Sequence, residues 1–119
     1  MRSIPITFAH MIDVNWLGQK VAIFKSVKQA RKQIASISIS PSCPGAAGYA
    51  THDNGQTIFW MILSEKNPKL ATVAHEAAHV ADFLCESAGI PVTVECGEVR
   101  AYLIGWLVGE VCRLYGLAV

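Results

Sequence analysis

The chain has 119 residues, of which 52% are hydrophobic and 16% are charged, and its formal net charge is +1. This composition excludes an intrinsically disordered chain, and the length predicts one domain, residues 1–119, with a single apolar core. A net charge so close to zero gives no electrostatic reason to expect a nucleic-acid partner.

The first third of the chain predicts a strand followed by a helix. Residues 4–8 alternate apolar and other side chains, as a short strand does, but residues 1–17 as a whole have no clear period. Residues 21–24 form an apolar run with strand character. Ser26 then suits the N-cap of a helix over about residues 27–35, whose apolar side chains share one face. His10 is interpreted as an ordinary surface or core histidine.

The next segment carries the strongest hairpin signal. Asn54-Gly55 is the preferred pair for a two-residue type I′ turn, and residues 48–53 and 56–63 flank it. The second arm is rich in β-branched and aromatic side chains, which favour strands. His52 lies beside the predicted turn and is interpreted as an ordinary histidine. We therefore expect a β-hairpin.

Two helices are predicted after the hairpin. Asn67-Pro68 resembles an N-cap followed by proline at the first helical position, and Gly89 is a typical stop, so the first helix should cover about residues 68–88. The second should cover about residues 95–115, with Thr93 as a candidate cap. Together these elements predict an α+β domain in which a small, mostly antiparallel sheet packs on the two helices.

The location of the protein is predicted from three features. The first five residues contain no uninterrupted apolar run, so no secretory signal is expected. The four cysteines show no Cys-x-x-Cys pairing, and we expect them to be reduced thiols in a cytoplasmic protein. Residues 99–119 are apolar, but Arg100, Glu110 and Arg113 lie within them, so a membrane span is not expected. Gly105-x-x-x-Gly109 fits a membrane dimer or a tight soluble helix pair equally well.

The run His75-Glu76-Ala77-Ala78-His79 lies in the middle of the first of these helices. On a helix, side chains four residues apart project from the same face, so His75 and His79 can bind one zinc ion. Glu76 lies one position along and suits a general base that takes a proton from water at the metal. The alternative is an amphipathic helix with two solvated histidines and no metal.

Zinc held by two histidines needs a third protein ligand, and Glu98 is the preferred candidate over Glu95. The spacing 98, 102, 105, 109 and 112 places Glu98 on one helix face that becomes small beyond Tyr102. Such a face could pack closely on the alanine-rich His75–His79 helix and bring Glu98 to the metal. The alternative is that Glu98 only stabilises the first turn of its helix through the helix dipole.

Tyr102 has two interpretations of equal weight. Its phenol could point into the site and stabilise the oxyanion that forms when water attacks a carbonyl. Alternatively, it lies at the edge of the core with its hydroxyl in water. Asp82 is a further candidate, as a carboxylate that orients a histidine ligand.

Residues 72–82, with the His-Glu-x-x-His motif, and residues 98–103, with Glu98 and Tyr102, resemble the zincin metallopeptidases of the gluzincin type. Within these, the chain is similar to the small metallopeptidases of bacteriophages and prophages. The resemblance covers about residues 47–107. It implies a minimal zincin-like fold, a Zn²⁺ ion on His75, His79 and Glu98, and hydrolysis of peptide or protein substrates with Glu76 as the base. It also implies that the 56–63 arm or its partner strand pairs with an extended substrate.

Two other functions are compatible with the sequence. The chain lacks the second lobe of larger zincins, so the domain could need a protein partner or form a homodimer. The first alternative function is a catalytically silent zincin-like module that binds a protein partner. In this module zinc would be a structural staple, with Cys96 as a fourth ligand. The third possibility is a metal-free helical module, which could be associated with a membrane.

Overall fold

The computed structural model describes residues 9–51 and 53–117. Four strands form one sheet: β1 (Ala9–Val14), β2 (Gln19–Phe24), β3 (Gly45–Thr51) and β4 (Thr57–Leu63). Their order in the sheet is β1-β2-β4-β3. The outer pairings, β1 with β2 and β3 with β4, are antiparallel, and the central pairing of β2 with β4 is parallel. The fold is therefore α+β with a mixed sheet, and β3 lies at one edge.

Three α-helices accompany the sheet in the described part of the chain: α1 (Val27–Gln33), α2 (Leu70–Ala88) and α3 (Gly97–Tyr115). Alternate side chains of a strand point to opposite faces of a sheet, and the two faces of this sheet contribute to separate apolar clusters. Helices α2 and α3 pack with residues such as Val21, Phe59 and Met61 on one face. Helix α1 packs with Ala22, Trp60 and Ile62 on the other.

The predicted helix ends at Ser26 and Gly89 are confirmed, whereas both predicted starts of the two long helices are wrong. Helix α3 begins at Gly97 after Cys96, and Thr93 is not its N-cap. The Ser26 side chain accepts a hydrogen bond from the Gln29 N–H at 3.0 Å and so caps α1. Gly89 ends α2 with a φ of +71°, which favours glycine. However, α2 begins at Leu70 after an extended Lys69, because the preceding residues form bends and Pro68 is buried outside the helix.

The hairpin is confirmed, but its predicted two-residue turn is wrong. Thr51 lies opposite Thr57, so five residues separate the last paired positions, whereas a turn at Asn54-Gly55 would require Asp53 opposite Gln56. Gly55 has a φ of +87° and Asn54 accepts a hydrogen bond from the Gln56 N–H at 2.9 Å. These features are typical of a longer hairpin loop with glycine in the left-handed region.

Several other predictions concern the ends of the chain and the cysteines. The predicted strand at residues 4–8 and His52 lie outside the described residues, while β1 had no clear signal in the sequence. His10 is an exposed residue on β1. All four cysteines are free, and Cys85 and Cys112 are buried in the core. Among the described helices, none combines the length and apolarity that crossing a membrane requires.

Candidate metal centre

The two histidines of the motif lie side by side on the exposed face of α2. The Nε2 atoms of His75 and His79 are 3.2 Å apart, and their ring planes meet at 76° with centroids 4.8 Å apart. Two nitrogens bound to one tetrahedral zinc at the usual bond length are about 3.3 Å apart. The separation of the rings therefore fits a shared zinc ion. It also fits a hydrogen bond between the rings, in which one Nε2–H donates to the other Nε2.

Glu76 completes the group. The ligand atoms of His75, Glu76 and His79 all lie within 4.8 Å of one another. The Glu76 side chain is only 6% exposed. Burial raises its pKa above the ordinary value of 4.5, and positive charge on His75 and His79 acts in the opposite direction. A carboxyl group with a raised pKa beside two imidazoles is a better proton acceptor than an ordinary carboxylate.

The edge strand β3 approaches Glu76 closely, and Gly45 makes this approach possible. A Cβ atom at position 45 would lie 2.8 Å from the Thr72 methyl carbon and 3.0 Å from Oε2 of Glu76. The first distance is shorter than real Cβ atoms show and the second is unusually tight, so glycine at position 45 keeps this part of β3 against α2 without displacing Thr72 or Glu76. The role of Gly45 was not predicted from the sequence, although a glycine inside a strand is a known sign of close backbone approach.

Aromatic side chains join β3 to α2 further along. The Phe83 ring is stacked on the His79 imidazole, with centroids 6.5 Å apart and planes at 20°. Tyr49 of β3 meets Phe83 edge to face at 5.4 Å. These rings form a wall beside the histidines. The wall was not predicted from the sequence, because it depends on how a strand and a distant helix are placed side by side.

Glu98, the predicted third ligand, is not brought into the group. It is an exposed residue in the first turn of α3, and in the described part of the chain the group that could hold a metal consists of His75, Glu76 and His79. Helix α3 packs into the core through Leu103, Leu107 and Val111. At 100° per residue, Glu98 lies on the opposite side of the helix from these leucines.

The packing of α2 on α3 also sets Glu98 away from the histidines along the helix axis. Arg100 binds Asp82 with its Nε at 2.5 Å from Oδ1, so these two residues lie level with each other. At the other end of α3, the Tyr115 hydroxyl donates to the Leu63 carbonyl oxygen at 3.4 Å, next to the start of α2. The two helices are therefore antiparallel, and Glu98 lies beyond Asp82, on the side away from His79.

The face of α3 that includes Glu98 is open from Glu98 to Gly109, so the prediction that this part packs closely on α2 is wrong, although Cys112 at its far end is buried in the core. A Cβ atom at Gly105 or Gly109 would meet nothing within 4 Å in the described part of the chain. Tyr102 on this face is 62% exposed, and its ring meets the Trp16 indole edge to face at 5.7 Å. The larger apolar side chains on the other side of α3 bury more surface, so they take the core position instead.

Two further candidates also lie elsewhere. The Asp82 carboxylate, expected to orient a histidine, instead binds Arg100 and ties α2 to α3. Cys96 is partly buried just before α3, where its N–H donates to the Thr93 hydroxyl at 3.2 Å. Within the described residues, neither side chain joins the ligand group.

Comparison with protein-family models, with curated proteins and with solved structures finds no match to this chain.

Proposed function

We propose that the protein is a zinc-dependent peptidase. The observation that carries this proposal is the pair of exposed imidazoles, with Nε2 atoms 3.2 Å apart, beside the buried carboxylate of Glu76. When bound, zinc lowers the pKa of a water molecule towards about 7 and polarises a carbonyl group. The resemblance of the motif to that of the zincins supports the same assignment.

Glu76 acts as the general base in this proposal. It accepts the proton of the attacking water and returns it to the leaving amine as the peptide bond breaks. Gly45 contributes indirectly, because its lack of a side chain lets Glu76 lie between β3 and the histidines. The raised pKa of Glu76 helps it to hold the proton between the two transfers.

The substrate is an extended peptide that adds to the sheet along β3. Among the described strands, β3 pairs only with β4, so its outer edge offers unpaired N–H and C=O groups. An extended chain that pairs with this edge passes the position of Glu76. Tyr102 is the proposed residue for stabilising the oxyanion. In the structure its ring lies against that of Trp16.

Glu98 remains the proposed third ligand. To bind the same ion as His75 and His79, it must move together with the first turn of α3. Residues 91–95, which precede this turn, are exposed and form no helix or strand. This segment is where we expect the chain to rearrange when the metal binds.

The test combines zinc content with hydrolysis. We expect the purified protein to bind one equivalent of zinc and to cleave members of a quenched-fluorescence peptide library. Glu76→Gln should keep its zinc and lose a factor of about 10² to 10⁴ in hydrolysis rate, which is the usual contribution of a general base. His79→Ala should lose zinc. Unchanged hydrolysis by zinc-loaded Glu76→Gln would show that the mechanism is wrong.

The third ligand is tested separately by zinc affinity. Glu98→Gln should weaken zinc binding markedly, whereas Glu95→Gln, another exposed carboxylate nearby, should not. If both variants bind zinc as the parent does, neither residue is the third ligand.

A second candidate function is a silent protein-binding module with structural zinc. The free edge of β3 favours it, because an exposed strand can pair with a partner protein without any chemistry. The two functions differ in the fourth position on zinc. A water molecule there, detected by spectroscopy of the cobalt-substituted protein, favours the peptidase, and a fourth protein ligand favours the module.

A further inference from the structure

A cavity of about 220 Å³ lies between the hairpin and the C-terminal half of α2. Its lining residues are Tyr49, Thr57, Phe59, Phe83, Glu86 and Ser87. We infer that this cavity is a pocket for one basic side chain, lysine or arginine, of a peptide bound along β3. The inference rests on the proposed function, because it describes how the same site would select its substrate.

The cavity is placed where a substrate side chain could reach it. Glu86 follows His75 and His79 at a spacing that keeps all three on one face of α2. Seven residues of helix separate His79 from Glu86, which corresponds to about 10 Å. An extended peptide covers that distance in about three residues. If it runs antiparallel to β3, the basic residue lies two or three positions before the bond that is cut.

A continuous aromatic wall leads from the histidines to this cavity. Phe83 is stacked on His79, Tyr49 meets Phe83 at 5.4 Å, and the Phe59 ring lies 6.2 Å from that of Tyr49. Tyr49 is 56% exposed. The Tyr49 and Phe83 rings are therefore accessible to a ligand, whereas Phe59 is buried beneath them.

The chemistry of the lining selects for a cation on an apolar stem. The rings of Tyr49 and Phe83 suit the methylene groups of lysine or arginine, and the face of an exposed ring attracts a positive charge. Glu86 is the one charged residue among the described residues of the lining, so its carboxylate has no competing cation there. A volume of about 220 Å³ is below the usual range for whole small-molecule ligands, so it fits a single side chain.

The experiment measures peptide binding, so it does not depend on hydrolysis. Alanine-based peptides that differ at one position (lysine, norleucine or glutamate) are titrated into zinc-loaded Glu76→Gln protein and followed by fluorescence anisotropy. We expect the lysine peptide to bind about fivefold more tightly than the norleucine peptide, because an exposed ion pair and a cation–π contact each contribute modestly. Adding Glu86→Gln should remove this difference, and adding Glu86→Lys should make the glutamate peptide the preferred ligand.

A matched control is Glu65→Gln, which removes an exposed carboxylate that does not line the cavity and should leave the preference unchanged. Equal binding of the lysine and norleucine peptides, a preference that survives Glu86→Gln, or no binding of any peptide would each overturn the pocket. If the preference is present but the parent protein cleaves nothing, the peptidase proposal fails while the pocket stands. If the parent protein cleaves peptides but binds no basic residue preferentially, the pocket fails while the peptidase proposal stands.

Discussion

Helix α2 and helix α3 each carry a row of small or polar residues, and the structure treats the two rows in opposite ways. On α2, Thr72 and Glu76 are pressed against β3 so closely that position 45 has no room for a Cβ atom. On α3, the face with Gly105 and Gly109 is open, and a Cβ atom there would meet nothing within 4 Å in the described part of the chain. One row is part of a packed contact and the other is surface.

The comparison shows that a glycine is needed for packing at the contact between α2 and β3 but not on the open face of α3. Gly45 is required by its surroundings, because any side chain would displace the carboxylate beside the histidines. Gly105 and Gly109 make no close contact within the described residues that would require a glycine. The arrangement of His75, Glu76 and His79 therefore depends on the contact between α2 and β3, and Gly105 and Gly109 of α3 can be substituted without disturbing it.

The largest effect is expected from Gly45→Ala. The added methyl group must push Thr72 or Glu76 aside, and overpacking of this kind costs about 1–3 kcal/mol in the free energy of unfolding. The better strand propensity of alanine offsets only a part of this cost. Urea denaturation of the metal-free protein measures the change.

The control for this variant is Gly97→Ala, at the first residue of α3, where a Cβ atom meets nothing within 4 Å in the described structure. It should not be destabilised. If Gly45→Ala is as stable as the parent protein, the contact between β3 and α2 is looser than the structure indicates.

The local elements could be predicted from the sequence because their signals are local. The Ser26 cap, the Gly89 stop and the β-branched arm of the hairpin all act within a few residues. The spacing of His75 and His79 likewise places two imidazoles on one face of any helix, whatever packs around it.

The relation between elements could not be predicted in the same way. Periodicity identified a face of α3 that contains Glu98, but it does not say whether that face is buried or exposed. The larger side chains of Leu103 and Leu107 took the core position, and in the resulting register Arg100 lies beside Asp82. Gly45 and Phe83 were missed because their roles depend on which strand lies beside α2, which is information that neither segment contains alone.

The second prediction concerns the Glu76 carboxylate, which lies in the tight contact between α2 and β3. Because burial raises the pKa of Glu76, the ionised carboxylate is less favourable in the folded state than in the unfolded chain. Its contribution to stability is fully present below the ordinary pKa of 4.5 and is lost as the pH rises through the folded-state pKa. Glu76→Gln should therefore be more stable than the parent at pH 7 and close to it near pH 4, in the absence of metal.

The matched variant on the open face is Glu98→Gln. Because Glu98 is exposed, its substitution should leave the free energy of unfolding nearly unchanged between pH 4 and 7. Chemical denaturation in the presence of EDTA at both pH values measures both variants. A loss of stability in Glu76→Gln at pH 7 would contradict the assignment of a destabilising buried charge.

The third prediction tests the open face of α3 directly. Gly105→Ala should stabilise the protein by about 0.5–1 kcal/mol, because alanine is the better helix former and the position has space for a methyl group. Thermal unfolding should show a higher Tm. A lower Tm would mean that a segment outside the described residues, or a second copy of the chain, covers this face.

The smallest effect is expected at the ion pair between the two helices. The Asp82 and Arg100 side chains are partly exposed, at 44% and 33%, so solvent screens their attraction. A double-mutant cycle with Asp82→Asn and Arg100→Gln should give a coupling energy of about 0.5 kcal/mol that decreases in high salt. The cycle also bears on the third ligand, because the ion pair holds the start of α3 away from the histidines. If Glu98 must move to bind zinc, breaking the pair should strengthen zinc binding. If zinc binding is unchanged when the pair is broken, Asp82 and Arg100 do not restrain Glu98.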